Sequence, residues 1–214
     1  KAFAYTPPSG YTTLSTANLP DPAIALPSAQ FNTVLYTGNA TQRDITVGFQ
    51  PDLIWIKKRN GTTWHEISDS LRKNTDGNLN QVYANATDAE YSSGSTNYIG
   101  PILSNGFRMS VDAVGTGTNA SGDTYVNWNW KANGSGSTDT SGDIDGVVSA
   151  NQAAGFSIIT FTSDGSTAGT IPHGLGGKPD LMIYFHRNAV GAHPTYFFGS
   201  DGALDKCLLN RTDA

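Results

Sequence analysis

The stretch that decides the fold occurs twice: residues 51–59 read PDLIWIKKR, and residues 179–187 read PDLMIYFHR. Each copy follows a run that begins with a Phe and alternates apolar with polar residues, FNTVLYTG from Phe31 and FSIITFTS from Phe156. The leading Phe precedes the Pro by 20 residues in the first copy (51 minus 31) and by 23 in the second (179 minus 156). Similar residues that recur at nearly the same spacing over about 40 residues indicate a duplicated supersecondary unit. The period is too long for a solenoid of short repeats, so we expect two related domains in tandem.

The composition favours β-structure and excludes several classes of partner. Only 14% of the 214 residues are charged, well below the usual quarter. Gly, Ser, Thr and Asn take their place, which suits short strands and turns. A net charge of −5 gives no electrostatic basis for binding nucleic acid or an anionic membrane. No apolar run approaches the ~20 residues that span a bilayer. We therefore predict an all-β protein that binds neither nucleic acid nor membrane.

The order of segments predicts tandem antiparallel β-sandwich or jelly-roll-like domains, of which the second is incomplete. Residues 1–30 are rich in Pro and should run extended as a linker, because Pro cannot donate a backbone hydrogen bond to a sheet. Residues 31–132 form the first module. Residues 133–146 have almost no apolar side chain, which predicts a flexible connection. Residues 147–214 form a partial second copy.

Two local features of these modules are also predicted from the sequence. The segment HEISDSLRKN, residues 65–74, is predicted to be a short helix or a loop. The second copy has no counterpart of GFRMSV (106–111) or YVNWNW (125–130). We therefore expect it to leave unpaired strand edges, which invite pairing with another chain.

Three phrases resemble a tandem β-rich module found in structural proteins of tailed bacteriophages. They are FNTVLYTGN…ITVGFQPDLIWIKKR, NASGDTYVNWNWKANG and DGVVSANQAAGFSIITFT…IPHGLGGKPDL. In that family the module often follows a SPRY-like domain of the concanavalin type. The opening KAFAYTPPSGYTTLSTANLP resembles the end of such a domain, so the resemblance implies that residues 1–30 join it to the first module.

The resemblance also implies a function and a set of partners. It implies a structural component on the surface of the virion, either a tail fibre or appendage or a decoration protein of the capsid. The implied partners are further copies of the chain in a homo-oligomer, with trimers frequent in such families, and other virion proteins. Attachment to glycans on the host surface, through a lectin-like module, is the alternative function.

The candidate metal ligands lack the spacing of a metal site. Asp139, Asp143 and Asp145 stand before Gly146, but a twelve-residue calcium loop from Asp139 would place Ala150 where a bidentate Glu is needed. The EF-hand interpretation therefore fails, which leaves a solvated linker or an irregular calcium site. The four histidines show no H-x-x-x-H pattern, and structural or surface roles are expected for them. They are His65, His173, His186 and His193. We predict no metal and no cofactor.

The sequence also predicts that the protein is not an enzyme. A glycosidase needs two facing carboxylates about 5 to 10 Å apart. Glu66, Asp69 and Asp201 are the acidic residues near aromatic strands, but nothing in their spacing distinguishes them from surface pairs. No G-x-S-x-G motif is present, and Cys207 has no local signature of a nucleophile.

Aromatic side chains are the remaining candidates for a binding site. In residues 124–130 the alternation places Trp128 and Trp130 on one face of a strand and Asn127 and Asn129 on the other. The Trp face is expected to pack in the core, where such large apolar side chains usually lie, or else to stack on sugar rings. Exposure of the Trp side chains distinguishes these alternatives. The candidate carbohydrate-binding residues are Trp55, Trp64, Trp128, Trp130 and Tyr196.

Overall fold

A computed structural model of the chain describes residues 8–11, 22, 24–92, 99–112, 117–165, 168–199 and 201–210. Within these residues the fold is all-β, as predicted: every pair of neighbouring strands is antiparallel, and two 3₁₀ turns, Pro27–Ala29 and Gln152–Ala154, are the helical elements. Most of the predicted linker 1–30 lies outside the described residues. The strands are β1 (Phe31–Thr37), β2 (Arg43–Thr46), β3 (Leu53–Lys58), β4 (Glu66–Lys73), β5 (Leu79–Tyr83), β6 (Ile99–Leu103), β7 (Gly106–Met109), β8 (Thr124–Trp130), β9 (Ser137–Asp139), β10 (Gly146–Asn151), β11 (Phe156–Phe161), β12 (Leu181–Ile183), β13 (Pro194–Phe198) and β14 (Leu204–Leu208).

The first eight strands form one sheet in the order β1-β8-β3-β4-β5-β6-β7-β2. The sheet curls on itself, because one buried cluster joins Ile45 of β2 and Phe107 of β7 at one end with Tyr125 of β8 at the other, and Tyr36 of β1 packs against the same cluster. The Asn32 side-chain amide also donates to the backbone carbonyl of Val47, 2.6 Å away, just beyond β2. Curling buries the concave face of the sheet, hereafter the inner face, and leaves its convex, outer face available for other contacts.

Residues 66–73 form a strand, so the predicted short helix or loop was wrong there. The chain alternates between inward Glu66 and Ser68 and outward Ile67, and pairs with β3 on one side and β5 on the other. The pairing with β5 shifts between Ser68 and Lys73. The Asp69 carboxylate accepts the backbone N–H groups of the two residues before Lys73, at 3.0 and 3.1 Å, which satisfies donors that the shift removes from the ladder. Strand pairing here outweighs the low β-propensity of Glu, Asp and Ser.

The remaining strands form two three-stranded sheets, β11-β10-β9 and β12-β13-β14. Strand β9 lies within residues 133–146, for which a flexible connection was predicted. Its residues pair with β10 in regular register, Asp139 opposite Gly146 and Ser137 opposite Val148. Asp143 then accepts hydrogen bonds from the backbone and hydroxyl of Thr170, both 2.8 Å. The polar composition of this stretch reflects an edge strand and a hydrogen-bonded loop.

The two PDL segments lead into hairpins with identical register. Leu53 faces Asp69 in β3–β4, and Leu181 faces Phe197 in β12–β13; in both pairs the two partners are 16 residues apart. The next ladders also correspond, because β4–β5 pairs Ile67 with Val82 and β13–β14 pairs Thr195 with Cys207. Strands β3-β4-β5 and β12-β13-β14 are therefore built on the same plan.

Hydrogen bonds beside these hairpins repeat as well. His65 and His193 each follow their PDL proline by 14 residues. The backbone N–H of His65 donates to the Asn85 side chain at 2.8 Å, and that of His193 donates to the Asn210 side chain at 3.0 Å. The strands before the hairpins differ: β1 and β3 flank β8 in one sheet, whereas β11 and β12 lie in separate sheets. The repeat predicts that residues 31–59 and 156–187 match strand for strand, and this fails at β2, because no strand stands between β11 and β12 in the described residues.

Candidate functional site

The central strand β8 presents its amide side chains to the interior and its tryptophans to the outer face. Asn127 and Asn129 have no exposed surface, whereas Trp128 and Trp130 are half-buried. These tryptophans therefore lie outside the inner core of the sheet, on its outer face, where they are neither fully buried nor fully exposed. The Asn129 side chain donates to the backbone carbonyl of Asn32 at 3.1 Å and to the Asn127 side chain at 2.6 Å, which compensates part of the cost of burying amides.

Tyrosines fix which face of β8 points inward. Tyr125 is buried, and its ring stacks on that of Tyr36 in β1, with ring centroids 5.1 Å apart. Its hydroxyl accepts from the backbone N–H of Ala120 and donates to the backbone carbonyl of Gly117. Burial raises the pKa of Tyr125 to about 12, so the hydroxyl stays protonated and able to donate. Because strand residues alternate, an inward Tyr125 requires an outward Trp128 and Trp130.

The outer face of β1, β8 and β3 carries a continuous aromatic strip, made of Phe31, Trp130, Trp128, Trp55 and His65. Strand pairing sets Phe31 opposite Trp130 and Trp128 opposite Trp55. Ring centroids are 5.0 Å apart for Phe31 and Trp130, 6.1 Å for Trp55 and Trp128, and 6.4 Å for Trp55 and His65. These are distances at which aromatic pairs attract beyond simple burial.

Part of this outer face is covered by the C-terminal sheets. Phe185 and Leu209 pack against the outward side chains of β3, β4 and β5, including Trp55 and Ile67. Trp130 also stacks near Phe156 of β11, with centroids 6.1 Å apart. The tryptophans are therefore half-buried because the second half of the chain covers one end of their face.

A buried ionic cluster joins the two halves of the chain beside this contact. The Glu90 carboxylate accepts from Arg72 at 3.0 Å, from Asn80 at 2.9 Å, and from two nitrogens of Arg187 at 2.9 and 3.0 Å. His193 is fully buried, and its Nε2 lies 3.0 Å from the Tyr83 carbonyl oxygen. Polar contacts of this kind fix the position of the second half over the outer face.

The remainder of the outer face is open to solvent. Leu35 of β1 is 61% exposed and Phe31 is 41% exposed, beside the half-buried Val126 and Trp128. Trp64 precedes β4, is 49% exposed, and stacks against Tyr83 at 5.2 Å. We call this open part, formed by Phe31, Leu35, Val126 and Trp128, the apolar outer patch.

The structure brings together three of the five predicted binding residues. Trp55, Trp128 and Trp130 lie in the aromatic strip, and Trp64 lies next to it, on the loop that leads to His65. Tyr196 belongs to a different sheet, where its ring contacts Tyr184 at 5.7 Å. The predicted set therefore divides into a tryptophan group and a separate tyrosine.

Sequence reasoning missed several contributors to these surfaces. Phe31 and Leu35 share a face because β1 alternates exposed and half-buried residues, a pattern that is readable in FNTVLYT. Glu90 carries no such signal, since its arginine partners are 18 and 97 residues away.

Two open pockets accompany the smaller sheets. One, of about 540 Å³, lies beside Asp143, Asp145, Phe161 and Arg187. The other, of about 350 Å³, is lined by Met182, Tyr184, His186, Pro194, Tyr196 and Leu204. In the first pocket the hydrogen bonds from Thr170 lower the pKa of Asp143, which keeps the carboxylate ionised and committed to its loop. Across the described residues, no three His, Cys, Asp or Glu side chains cluster as a metal site would require.

Comparison with known proteins gives a family but no function. In the described part of the chain no helix is long and apolar enough to cross a membrane. No curated protein and no solved structure matches the chain significantly. A family model described as a domain of unknown function (DUF7483) matches residues 26–214, a range that includes both halves and the segment that joins them. The chain therefore belongs to the DUF7483 family.

Proposed function

We propose that this chain is a structural component of a tailed-bacteriophage virion, in a tail fibre or appendage or on the capsid surface. The observation that carries the proposal is the apolar outer patch, where Leu35 is 61% exposed in the middle of a regular strand. Contiguous exposed apolar side chains mark protein contacts more often than catalysis. The resemblance of the PDL segments and of residues 119–134 to virion modules supplies the context.

The chemistry of the interior supports an assembly role over an enzymatic one. The buried carboxylates are engaged structurally: Asp69 holds the irregular pairing of β4, and Glu90 links the two halves of the chain. Both carboxylates bind the guanidinium of Arg72, at 2.6 and 3.0 Å, which commits them to an ion-pair network. We infer that the chain holds its neighbours in a homo-oligomer or on the particle through the apolar outer patch.

The location of the chain tests the proposal directly. Purified particles of a phage that encodes this sequence should contain its peptides at a fixed copy number, by quantitative mass spectrometry. Antibodies against the recombinant chain should label the particle surface in electron micrographs. The proposal fails if the chain is made during infection but is absent from purified particles.

Assembly through the patch is tested on the recombinant chain. Leu35→Lys places a charge on the exposed apolar strand and should shift sedimentation towards the monomer without loss of β-structure. Leu204→Lys is the matched control, because Leu204 is a 51% exposed leucine on strand β14, in a different sheet from the patch. Equal sedimentation of the Leu35→Lys variant and the parent at all concentrations would contradict this use of the patch.

Glycan binding is the second candidate, and one observation favours it. Trp64 is half-exposed and stacked on Tyr83, with the polar Asn85 bonded to the adjacent His65 backbone, a combination suited to sugar stacking beside hydrogen-bond donors. Trp64→Ala should then abolish retention on host polysaccharide, whereas Tyr11→Ala should not, since Tyr11 is an exposed aromatic in the N-terminal stretch, outside the three sheets. Loss of binding by neither variant, or by both equally, would exclude Trp64 as the site.

A further inference from the structure

The first half of the chain shows how its repeated strands are joined. Strand β8 lies between β1 and β3 and pairs with both along its length. Its Trp130 faces Phe31 on one side and Leu53 on the other, and its Val126 faces Leu35 and Lys57. One strand thus completes the sheet between the Phe-led strand and the PDL strand.

The second half contains counterparts of both flanking strands. Each Phe-led strand follows a 3₁₀ turn closed by the same backbone bond, Gln30 to Pro27 before β1 and Gly155 to Gln152 before β11, at 2.9 and 3.2 Å. Strand β12 corresponds to β3, because its hairpin with β13 keeps the register of β3 with β4.

These counterparts have one open edge each. Within the described residues, β11 pairs with β10 alone and β12 pairs with β13 alone. Their remaining edges correspond to those of β1 and β3 that β8 occupies. An open edge presents a row of unpaired N–H and C=O groups, which can template a further strand.

A ring contact shows that the ends of the two strands lie near one another. The rings of Phe161 in β11 and Tyr184 just after β12 meet edge to face, with centroids 6.4 Å apart. Their counterparts by position are Tyr36 and Ile56, which lie in the two strands that flank β8. The open pocket of about 540 Å³ extends from Arg187 past Phe161 to Val147 and Thr138, so it lies over the β9-β10-β11 sheet, and no residue of β12 lines it. The ring contact is what brings the ends of β11 and β12 together where a β8-like strand belongs.

We propose that the gap between β11 and β12 is an acceptor site for one antiparallel β-strand of the β8 type. The occupant is a free segment of about seven residues that alternates amide or Tyr side chains inward with Trp or Val side chains outward. Strand β8 of a second copy does not qualify, since strands on both sides already hold it. The expected register sets one outward residue of the occupant opposite both Phe156 and Leu181, as Trp130 is opposite Phe31 and Leu53.

This inference does not depend on the proposed function, because it rests on the internal repeat alone. A virion protein and a lectin would both present the same gap. Its test uses a probe taken from the chain itself, a synthetic peptide with the sequence GDTYVNWNWKA of residues 122–132.

A fluorescently labelled form of this peptide should bind the full chain saturably with one site. Amide hydrogen exchange should then slow in residues 156–161 and 181–183, and should not change in the outer edges β9 and β14. A peptide N-methylated at alternate residues should bind about tenfold more weakly or worse, because it loses the main-chain hydrogen bonds that strand addition depends on. A scrambled peptide of equal composition controls for nonspecific binding through aromatic side chains.

Variants of the chain locate the site. Phe161→Asp places a charge at the gap and should abolish peptide binding, whereas Val190→Asp should not, since Val190 is a 73% exposed loop residue. Circular dichroism confirms that both variants fold. The proposal is overturned if the peptide does not bind, if the scrambled peptide binds equally, or if protection falls on β9 or β14. It is also overturned if a second copy protects the gap and the peptide cannot displace it.

Discussion

Replacing Glu90 by Gln should destabilise the chain more than removing the exposed arginine that Glu90 binds. The Glu90 carboxylate is the common acceptor for Arg72, which is buried, and for Arg187, whose side chain is 46% exposed. A Gln side chain has the shape of Glu90 but carries no charge. Its NH₂ group would replace one acceptor oxygen and would face the N–H donors of the arginines. The variant therefore leaves a buried guanidinium with one carboxylate partner, Asp69 at 2.6 Å.

The expected magnitude follows from the burial of each partner. Breaking a buried ion pair by removing one member costs about 3–5 kcal/mol. Arg72 keeps its bond to Asp69, so we expect the Glu90→Gln variant to lose about 3 kcal/mol, at the lower end of that range. Arg187→Met removes a half-exposed pair instead, which is worth about 1 kcal/mol or less.

The assay is urea unfolding at pH 7, followed by tryptophan fluorescence, for the parent, Glu90→Gln, Arg187→Met and the double variant. The free energies of unfolding should fall in the order parent, Arg187→Met, Glu90→Gln, with the m-value unchanged. The double variant should be close to Glu90→Gln, because the interaction of Arg187 with Glu90 is already lost. Coupling between contacting residues of this kind is the usual cause of non-additivity.

The pH dependence gives an independent check. Burial raises the pKa of Glu90, but hydrogen bonds from Arg187 and Arg72 outweigh it, and the pKa is lowered overall. The stability from this carboxylate is thus present above the ordinary pKa of Glu and is lost as the pH falls. Glu90→Gln should lack that acid-dependent loss. A Glu90→Gln variant no less stable than Arg187→Met would refute the role given to this cluster.

Two further predictions concern the interior of the first sheet. Burial, reinforced by the Asp112 carboxylate, raises the pKa of Glu66 from 4.5 to about 8, so the folded state binds the extra proton and its stability should fall as the pH rises between these values. Glu66→Gln should remove this decline in urea titrations at several pH values, and an unchanged decline would contradict it. Gly38→Ala should cost about 1–3 kcal/mol, because its Cβ would lie 2.1 Å from the Ala120 carbonyl oxygen. Gly176→Ala, with nothing within 4 Å of the new Cβ, is the control, and equal urea midpoints for the two would refute the close approach.

Local pattern was sufficient to predict the strand content of this chain. Alternation in residues 124–130 correctly placed Asn127 and Asn129 on one face and the tryptophans on the other. Pattern failed at residues 66–73, whose polar residues have weak strand preference, and at residues 133–146, where β9 exists through its pairing with β10. Both strands form because they pair with the strands next to them in the chain, which the composition of the two segments does not reveal.

The residues of the candidate site could be predicted from the sequence, but the face of the sheet on which they lie could not. The tryptophans of β3 and β8 could be proposed from the sequence, because aromatic residues on alternating strands are conspicuous. Which face they occupy could not be predicted, since period-two alternation is symmetric between inside and outside. The buried Tyr36–Tyr125 pair and the paired amides of Asn127 and Asn129 made that choice in the folded chain.

The sequence by itself determined that a strand-forming unit occurs twice. Each copy has a leading Phe, a PDL segment and a His 14 residues after the PDL proline, and all three features lie within one short segment. Tertiary structure decided what lies between the repeated strands. In the first half β8, which begins more than 65 residues after the end of β3, pairs with both β1 and β3. In the described residues of the second half, β11 and β12 each keep one edge unpaired. Pairing between strands that are so far apart in sequence depends on the topology of the whole chain, and no short sequence motif predicts it.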